Sequence, residues 1–351
     1  MKPSKQLVII GQQYCPLSTL RGNFCYIVRE FSRLRPTTCL VLTADGVDLE
    51  NIFSFGASSK IFTLINFYRI FINIFWSHKG NVDVLVHQGG VYPLLLAPFR
   101  LLGLRVFQWK AHPVRDLVWW LFQFGLINKV FTVSKSSFPS GLREPIYISH
   151  GVAFPVVDTT CGKSGFDGRI DFCVAGRVAP SKRVTECIDF VKSVAEALPS
   201  FEVTLHIVGF TNSDGYELDV KKRALSAAES TKNLSVCCLN AVQRFQLFQI
   251  YLDCQFALNF SSTALDKFVI EAAGSGVVVL SSNINFLEAF DDVEQLGLYS
   301  ESYNKLVASV VRLATDDKEF LKIAGKLKDQ AHHKFALHNW VWRLNSIMNR
   351  G

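Results

Sequence analysis

The chain has 351 residues, 49% hydrophobic and 19% charged, which excludes a disordered polyelectrolyte and supplies enough apolar material for two cores of ordinary size. Its formal charge of +7 is unevenly placed: residues 1–155 carry 16 Lys/Arg against 7 Asp/Glu, whereas residues 156–351 carry 21 against 23. The nine cysteines (15, 25, 39, 161, 173, 187, 237, 238, 254) form no CxxC and lie mostly in apolar runs, the usage of buried thiols in a reducing compartment, so a cytoplasmic location is expected.

The apolar run in MKPSKQLVIIGQQ is too short for a signal-peptide core, and nowhere do eighteen apolar residues run uninterrupted, so neither secretion nor a spanning helix is expected. LVII (7–10) reads as a strand, followed by a loop with Gly11, Pro16 and Gly22, a helix through FCYIVREFSRL and the strand CLVLT (39–43). Further strands are expected at VDVLVH (82–87), LRVFQW (104–109) and KVFTVS (129–134). The aromatic-rich segments IFTLINFYRIFINIFW (61–76) and LVWWLFQFGL (117–126) read in two ways: as core helices, or, with the basic excess of this half, as a surface resting on an anionic membrane. No nucleic-acid module is recognisable, and a nucleic-acid partner is not expected.

Residues 154–169 collect Pro, Gly, Ser, Thr and Asp, the composition of a linker, which separates a domain over 1–155 from one over 156–330. The second half restarts the alternation: DFCVAG (171–176), a helix near 183–198, VTLHIVG (203–209), a helix near 216–230, LSVCCL (234–239), a helix near 243–252, CQFALNF (254–260), a helix near 267–273 and VVVLSS (277–282). Val184, Cys187, Ile188, Val191, Val194, Ala195 and Leu198 recur at helical spacing and predict one apolar face. An amphipathic closing helix is expected over 331–351.

Chemistry is expected where strands hand over to helices, because helix amino-termini offer free N–H groups and a partial positive charge to anions. In VAGRVAPSKRVTECI (174–188), Gly176 allows a close turn, and Arg177 and Lys182 bring two cations to the mouth of the following helix, a grip suited to a diphosphate. The alternative is that Arg177 pairs with a surface carboxylate and Lys182 is solvated. In LNFSSTALDKFVIEAAGSGVVVLSS (258–282), hydroxyl residues lead to a helix capped by Asp266, with Glu271 one turn in. A carboxylate there can accept from two vicinal ribose hydroxyls, or it is a solvated helix glutamate. The Cys237–Cys238 pair lacks metal-ligand companions and reads as core.

Together GRVAPSK (176–182), HIVG (206–209) and DKFVIEAAGSGVVVL (266–280) resemble the donor half of family-4 retaining glycosyltransferases in order and spacing. DVLVHQGGVYPLLLAPF (83–99), VFQWKAHPVRD (106–116) and VFTVSKSSF with YISHGV (130–152) extend the resemblance to a surface-polysaccharide branch of that family. It implies a GT-B α/β fold, two Rossmann-like doubly wound domains facing a central cleft, with Arg177 and Lys182 on donor phosphates and Glu271 on ribose. It further implies that His112 meets the sugar, that Gly22 and His87 face the acceptor, and that Thr263, Asp266 and Lys267 complete the donor site. Its partners are a nucleotide-sugar donor and a saccharide acceptor, lipid-linked, at the inner face of the membrane.

Thr263 departs from the pattern, since the family often carries a glutamate eight residues before the second one. A hydroxyl there can hydrogen-bond a sugar or phosphate but cannot act as a carboxylate. No Asp-x-Asp occurs, so no metal is expected; the missing GxGxxG and GxxxxGK[ST] argue against dinucleotide enzymes and ATPases. No cofactor is expected beyond the donor itself. An epimerase or hydrolase on the same fold, or a non-catalytic subunit, are the alternatives, because fold does not dictate reaction.

Overall fold

The computed structural model describes residues 5–14, 23–44, 51–56, 59–87, 91–110, 116–134, 139–155, 166–211 and 215–350. The chain divides into two compact units, Met1–Ala153 with Leu337–Gly351, and Phe154–Ala336.

The first unit runs β1 (Gln6–Tyr14), α1 (Asn23–Leu34), β2 (Thr37–Ala44), β3 (Ile52–Ser54), α2 (Lys60–Ser77), β4 (Val82–His87), α3 (Tyr92–Leu95), α4 (Ala97–Arg100), β5 (Arg105–Lys110), α5 (Leu117–Gln123), β6 (Lys129–Thr132) and β7 (Ile146–Tyr147). Its parallel sheet has the order β3-β2-β1-β4-β5-β6-β7, so the winding reverses between β1 and β4. Leu7, Val8, Ile9 and Ile10 of β1 are fully buried, as expected of a central parallel strand covered on both faces. Phe67, Phe71 and Phe75 of α2 pack with Phe99 and with Val84 and Val86 of β4 in one core cluster.

A fully buried carboxylate, Asp83, ties the amino-terminal ends of the strands together. It takes two bonds from Arg105 (Nε–Oδ1 and Nη2–Oδ2, both 2.8 Å) and one from Arg35 (3.1 Å), with Lys5 at 3.8 Å. Burial pulls the Arg35 guanidinium below its usual value, while Asp83 opposes that shift.

The second unit runs β8 (Arg169–Ala175), α6 (Val184–Ala197), β9 (Glu202–Phe210), α7 (Gly215–Ser230), β10 (Leu234–Asn240), α8 (Arg244–Asp253), β11 (Phe256–Asn259), α9 (Lys267–Gly274), β12 (Val278–Ser281), α10 (Asn285–Ala289), α11 (Tyr303–Ala314) and α12 (Asp317–Phe335). Its sheet order, β10-β9-β8-β11-β12, repeats the reversal, here between β8 and β11. All seven residues of the apolar face expected on α6 are buried.

A single closing helix over 331–351 is not what forms. At Ala336 the backbone leaves the helical region (φ −53°, ψ 133°), ending α12 and starting α13 (Leu337–Asn349). The last helix belongs to the first unit rather than standing as a segment of its own. Leu337 N–H donates to Val152 O (2.8 Å), Trp340 Nε1 donates to Ser149 O (3.0 Å), and α13 packs on α1. The apolar positions Leu337, Trp340, Val341, Leu344 and Met348 are all buried, and that burial holds the chain's return to the first unit. Among the described residues no helix is long and apolar enough to cross a membrane.

Candidate functional site

In open α/β sheets, ligands settle at the carboxyl ends of strands where the winding reverses. In the second unit that place lies beyond Ala175 and Asn259, the last residues of neighbouring strands β8 and β11. A pocket opens there, lined by Gly176, Arg177, Lys182, Asn259, Ser261 and Asp266 among others. Gly176 has φ +128°, a conformation open to glycine, and its N–H donates to Val208 O (3.0 Å). Gly209, next to last in β9, has the same φ, and a Cβ there would sit 2.0 Å from Gly176 O, so this glycine lets the turn after β8 lie against the end of β9.

Arg177 is exposed and, among the described residues, has no ion-pair partner. Lys182 ends a short 3-10 turn (Pro180–Lys182) and is not simply solvated: its ammonium is ion-paired with Asp266 and lies 3.4 Å from Thr263 Oγ1. The alternative reading of this pair is thus reversed on both counts. The mouth of α6 is already partly occupied, because Val184 N–H donates to Tyr216 Oη (3.1 Å) and Glu186 pairs with Arg183 (2.6 Å).

Asp266 stands just before α9, at the N-cap, with extended backbone, but its side chain does not cap the helix. The carboxylate instead turns to Lys182 and accepts from Asn259 Nδ2 (3.2 Å). The electrostatic gain of meeting an ammonium outweighs a helix-cap bond of about 1 kcal/mol. Acidity absent at Thr263 is therefore present three residues on, committed to Lys182.

The loop carrying Thr263 is held by a buried amide and hydroxyl network that residue types alone do not announce. Ser261 and Thr263 hydroxyls are 2.8 Å apart, and the Thr263 carbonyl accepts from Asn283 Nδ2 (2.8 Å) and Asn285 Nδ2 (3.2 Å). Ser281 Oγ donates to Asn259 O (2.8 Å), and Asn283 N–H donates to Ser281 Oγ (3.0 Å). Asn259, Ser261, Ser281, Asn283 and Asn285 are all buried, so their mutual satisfaction rigidifies the loop.

Glu271 is buried and engaged rather than solvated. Its Oε1 meets Lys267 Nζ (2.9 Å), one turn back, and Arg244 Nη2 (3.4 Å) from α8. Burial pulls the Lys267 ammonium below its usual value, with Glu271 opposing. Sequence reasoning misses Arg244, because a guanidinium at the start of a helix such as α8 carries no motif signal. Asp266 is thus paired with Lys182, and Glu271 with Lys267 and Arg244 outside the pocket lining; the pocket itself carries Arg177 and Lys182 against Asp266, an excess of positive charge suited to an anion.

In the first unit, His87 ends β4 beside β1, at the other reversal. Its ring stacks on Trp109 (4.8 Å between centroids, 2° apart) and lies 5.0 Å from Phe24. Burial holds its pKa down to about 4, with His150 adding to the shift, so near neutral pH His87 is an uncharged hydrogen-bonding ring. Gly22 and His112 lie outside the described residues.

No family model matches the sequence, and no curated protein does. Solved structures do. The N-terminal domain of Candida albicans trehalose-6-phosphate phosphatase superposes with a TM-score of 0.73 at 13% identity, over 100% of this chain and 97% of that one. Anabaena HepE in complex with UDP gives 0.71 at 12% identity, over 99% and 100% of the two chains. Sucrose-phosphate synthase from Thermosynechococcus elongatus gives 0.68 at 12% identity, over 99% and 98%. At such identities the likeness speaks for architecture, and the chain has the GT-B fold of two parallel-sheet α/β domains.

Proposed function

We propose that the chain is a glycosyltransferase of the family-4 kind, moving a sugar from a nucleoside-diphosphate sugar to a hydroxyl of a saccharide acceptor with retention of configuration. The observation that carries this reading is the placement of Arg177 and Lys182 on one pocket at the β8/β11 reversal, with Glu271 one turn into α9. HepE, a protein of similar fold, is solved in complex with UDP, which supports a nucleotide ligand for this chain.

In the proposed reaction the bond from the anomeric carbon to the diphosphate oxygen breaks and its electron pair leaves with the diphosphate. The acceptor hydroxyl attacks the same face, and its proton passes to the departing phosphate. Arg177 and Lys182 meet the developing charge, which makes a metal unnecessary for leaving-group stabilisation. Lys182 is paired with Asp266 before the donor arrives, and the donor diphosphate takes over from that carboxylate as its partner. Glu271 takes the ribose hydroxyls, Lys267 and Thr263 complete the donor site, and His112 orients the sugar.

Gly22 and His87 belong to the acceptor side. The acceptor is lipid-linked, as in assembly of a bacterial surface polysaccharide such as the O-antigen of lipopolysaccharide, and the first unit touches the inner face of the membrane. No nucleic acid and no cofactor takes part.

The test is titration calorimetry of the purified chain with UDP, GDP and dTDP, followed by incubation of the matching nucleotide sugar with and without a lipid-linked saccharide extract. Transfer to the extract supports the reading. Donor isomerisation without acceptor, or binding of none of the three nucleotides, overturns it.

A further inference from the structure

Helix α2 is apolar on two sides, which one core cannot satisfy. Phe67, Phe71 and Phe75 fill the interior of the first unit. Ile61, Ile65, Ile72 and Trp76, spaced by four, seven and four residues, form a second stripe on the outward side. They are 71%, 53%, 38% and 62% exposed, and Phe62 beside them is 59% exposed. Contiguous apolar surface of this kind marks an interaction site. The turn after α4 adds the exposed Leu101 and Leu102, next to Phe99, which packs against Phe75 (5.2 Å).

The charges on this face have one sign. Arg69 lies in the outward stripe, and Lys60 and Lys79 stand at its two ends; all three are exposed and, among the described residues, without an ion-pair partner. From residue 51 to 110 the only acid is Asp83, which is fully buried. A second copy of the chain would set these cations against themselves across a two-fold axis. A lipid surface with anionic headgroups accepts both the isoleucine stripe and the cations, with Trp76 at the depth where its ring is amphipathic.

We infer that the outward face of α2 is a lipid-docking surface that lies on, and does not cross, an anionic bilayer. The helix is tied into the core by its three phenylalanines, so Ile61, Phe62, Ile65, Ile72 and Trp76 enter the headgroup boundary while the unit stays folded. This narrows the membrane contact proposed above to one helix face and stands apart from the transfer chemistry.

The experiment is cosedimentation of the full chain with vesicles of phosphatidylcholine alone or of equal parts phosphatidylcholine and phosphatidylglycerol, without donor or acceptor. The wild-type chain sediments with the anionic vesicles. Combined Ile65→Gln, Ile72→Gln and Trp76→Gln weakens that partitioning roughly tenfold or more. Arg69→Gln weakens it about fivefold on anionic vesicles and leaves the neutral ones unchanged. The substituted residues are exposed, so circular dichroism and thermal unfolding of the triple variant match the wild type.

A wild-type chain that ignores both vesicles overturns membrane contact altogether. A triple variant that binds like wild type overturns the assignment to α2 alone. A wild-type dimer that dissociates in the triple variant, without vesicle binding, makes the face a contact between copies and overturns the lipid.

Discussion

The two units reverse their winding in the same way, at β2-β1-β4 and at β9-β8-β11, yet they load the reversal with opposite chemistry. In the second unit the strand ends carry cations with partly committed partners and a buried amide network. In the first, the end of β4 offers a neutral histidine packed among Trp109 and Phe24, while the buried ionic network sits at the opposite, amino-terminal edge around Asp83. One topology therefore presents a cation-lined pocket at one reversal and a histidine among aromatic rings at the other. The loop residues decide which, since the backbone is shared and the side chains after each strand are not.

The sharpest way to break this contrast is Asp83→Asn. With the buried Arg35 and partly buried Arg105 guanidinium groups left facing no carboxylate, stability should fall by about 3 kcal/mol in urea denaturation, while nucleotide affinity measured where the protein is folded stays unchanged. A neutral outcome would mean the cluster is not structural. Next, Lys182→Ala should weaken UDP or GDP binding by about 1.5–3 kcal/mol in calorimetry, the scale of a charge-assisted hydrogen bond. Unchanged affinity for both nucleotides removes the diphosphate role from this lysine.

The histidine at the other reversal makes a pH prediction. Because the folded pKa of His87 is lowered from 6.5 to about 4, the unfolded chain binds more protons in that window, and stability is lost as pH falls from about 6.5 toward 4. The contribution is on the order of 2 kcal/mol, and His87→Phe should flatten this part of the stability profile; an unaltered profile assigns it to other groups. The smallest effect is expected at Asp266→Asn. Freeing Lys182 from its carboxylate should tighten diphosphate binding by about 0.5–1 kcal/mol. Weaker binding would instead mean that Asp266 positions the lysine more than it competes for it.

The alternation of short apolar runs with helical ones made both sheets legible, since parallel strands buried on both faces must be apolar almost throughout. VDVLVH at 82–87 matches β4 residue for residue. The short edge strands β3 and β7 carried no such signal, and neither did the run of α10 to α12. At the site, the order of Gly176, Arg177, Lys182, Asp266 and Glu271 was readable from strand-to-helix junctions. The pairings Lys182–Asp266 and Arg244–Glu271 were not, because they join residues 84 and 27 apart through the sheet. The aromatic segment at 61–76 supports two readings from sequence, and the helix buries one face and exposes another.

What the sequence by itself determined is the alternation, the glycines that permit close turns and the cations at the second reversal, all of which follow from local periodicity and residue chemistry. Tertiary structure alone decided that Asp266 serves Lys182 rather than its own helix, that Asn283 and Asn285 hold the Thr263 loop, and that α13 returns to the first unit. Those outcomes depend on which groups meet across long chain separations, where burial makes each unpaired polar atom costly and so selects its partner.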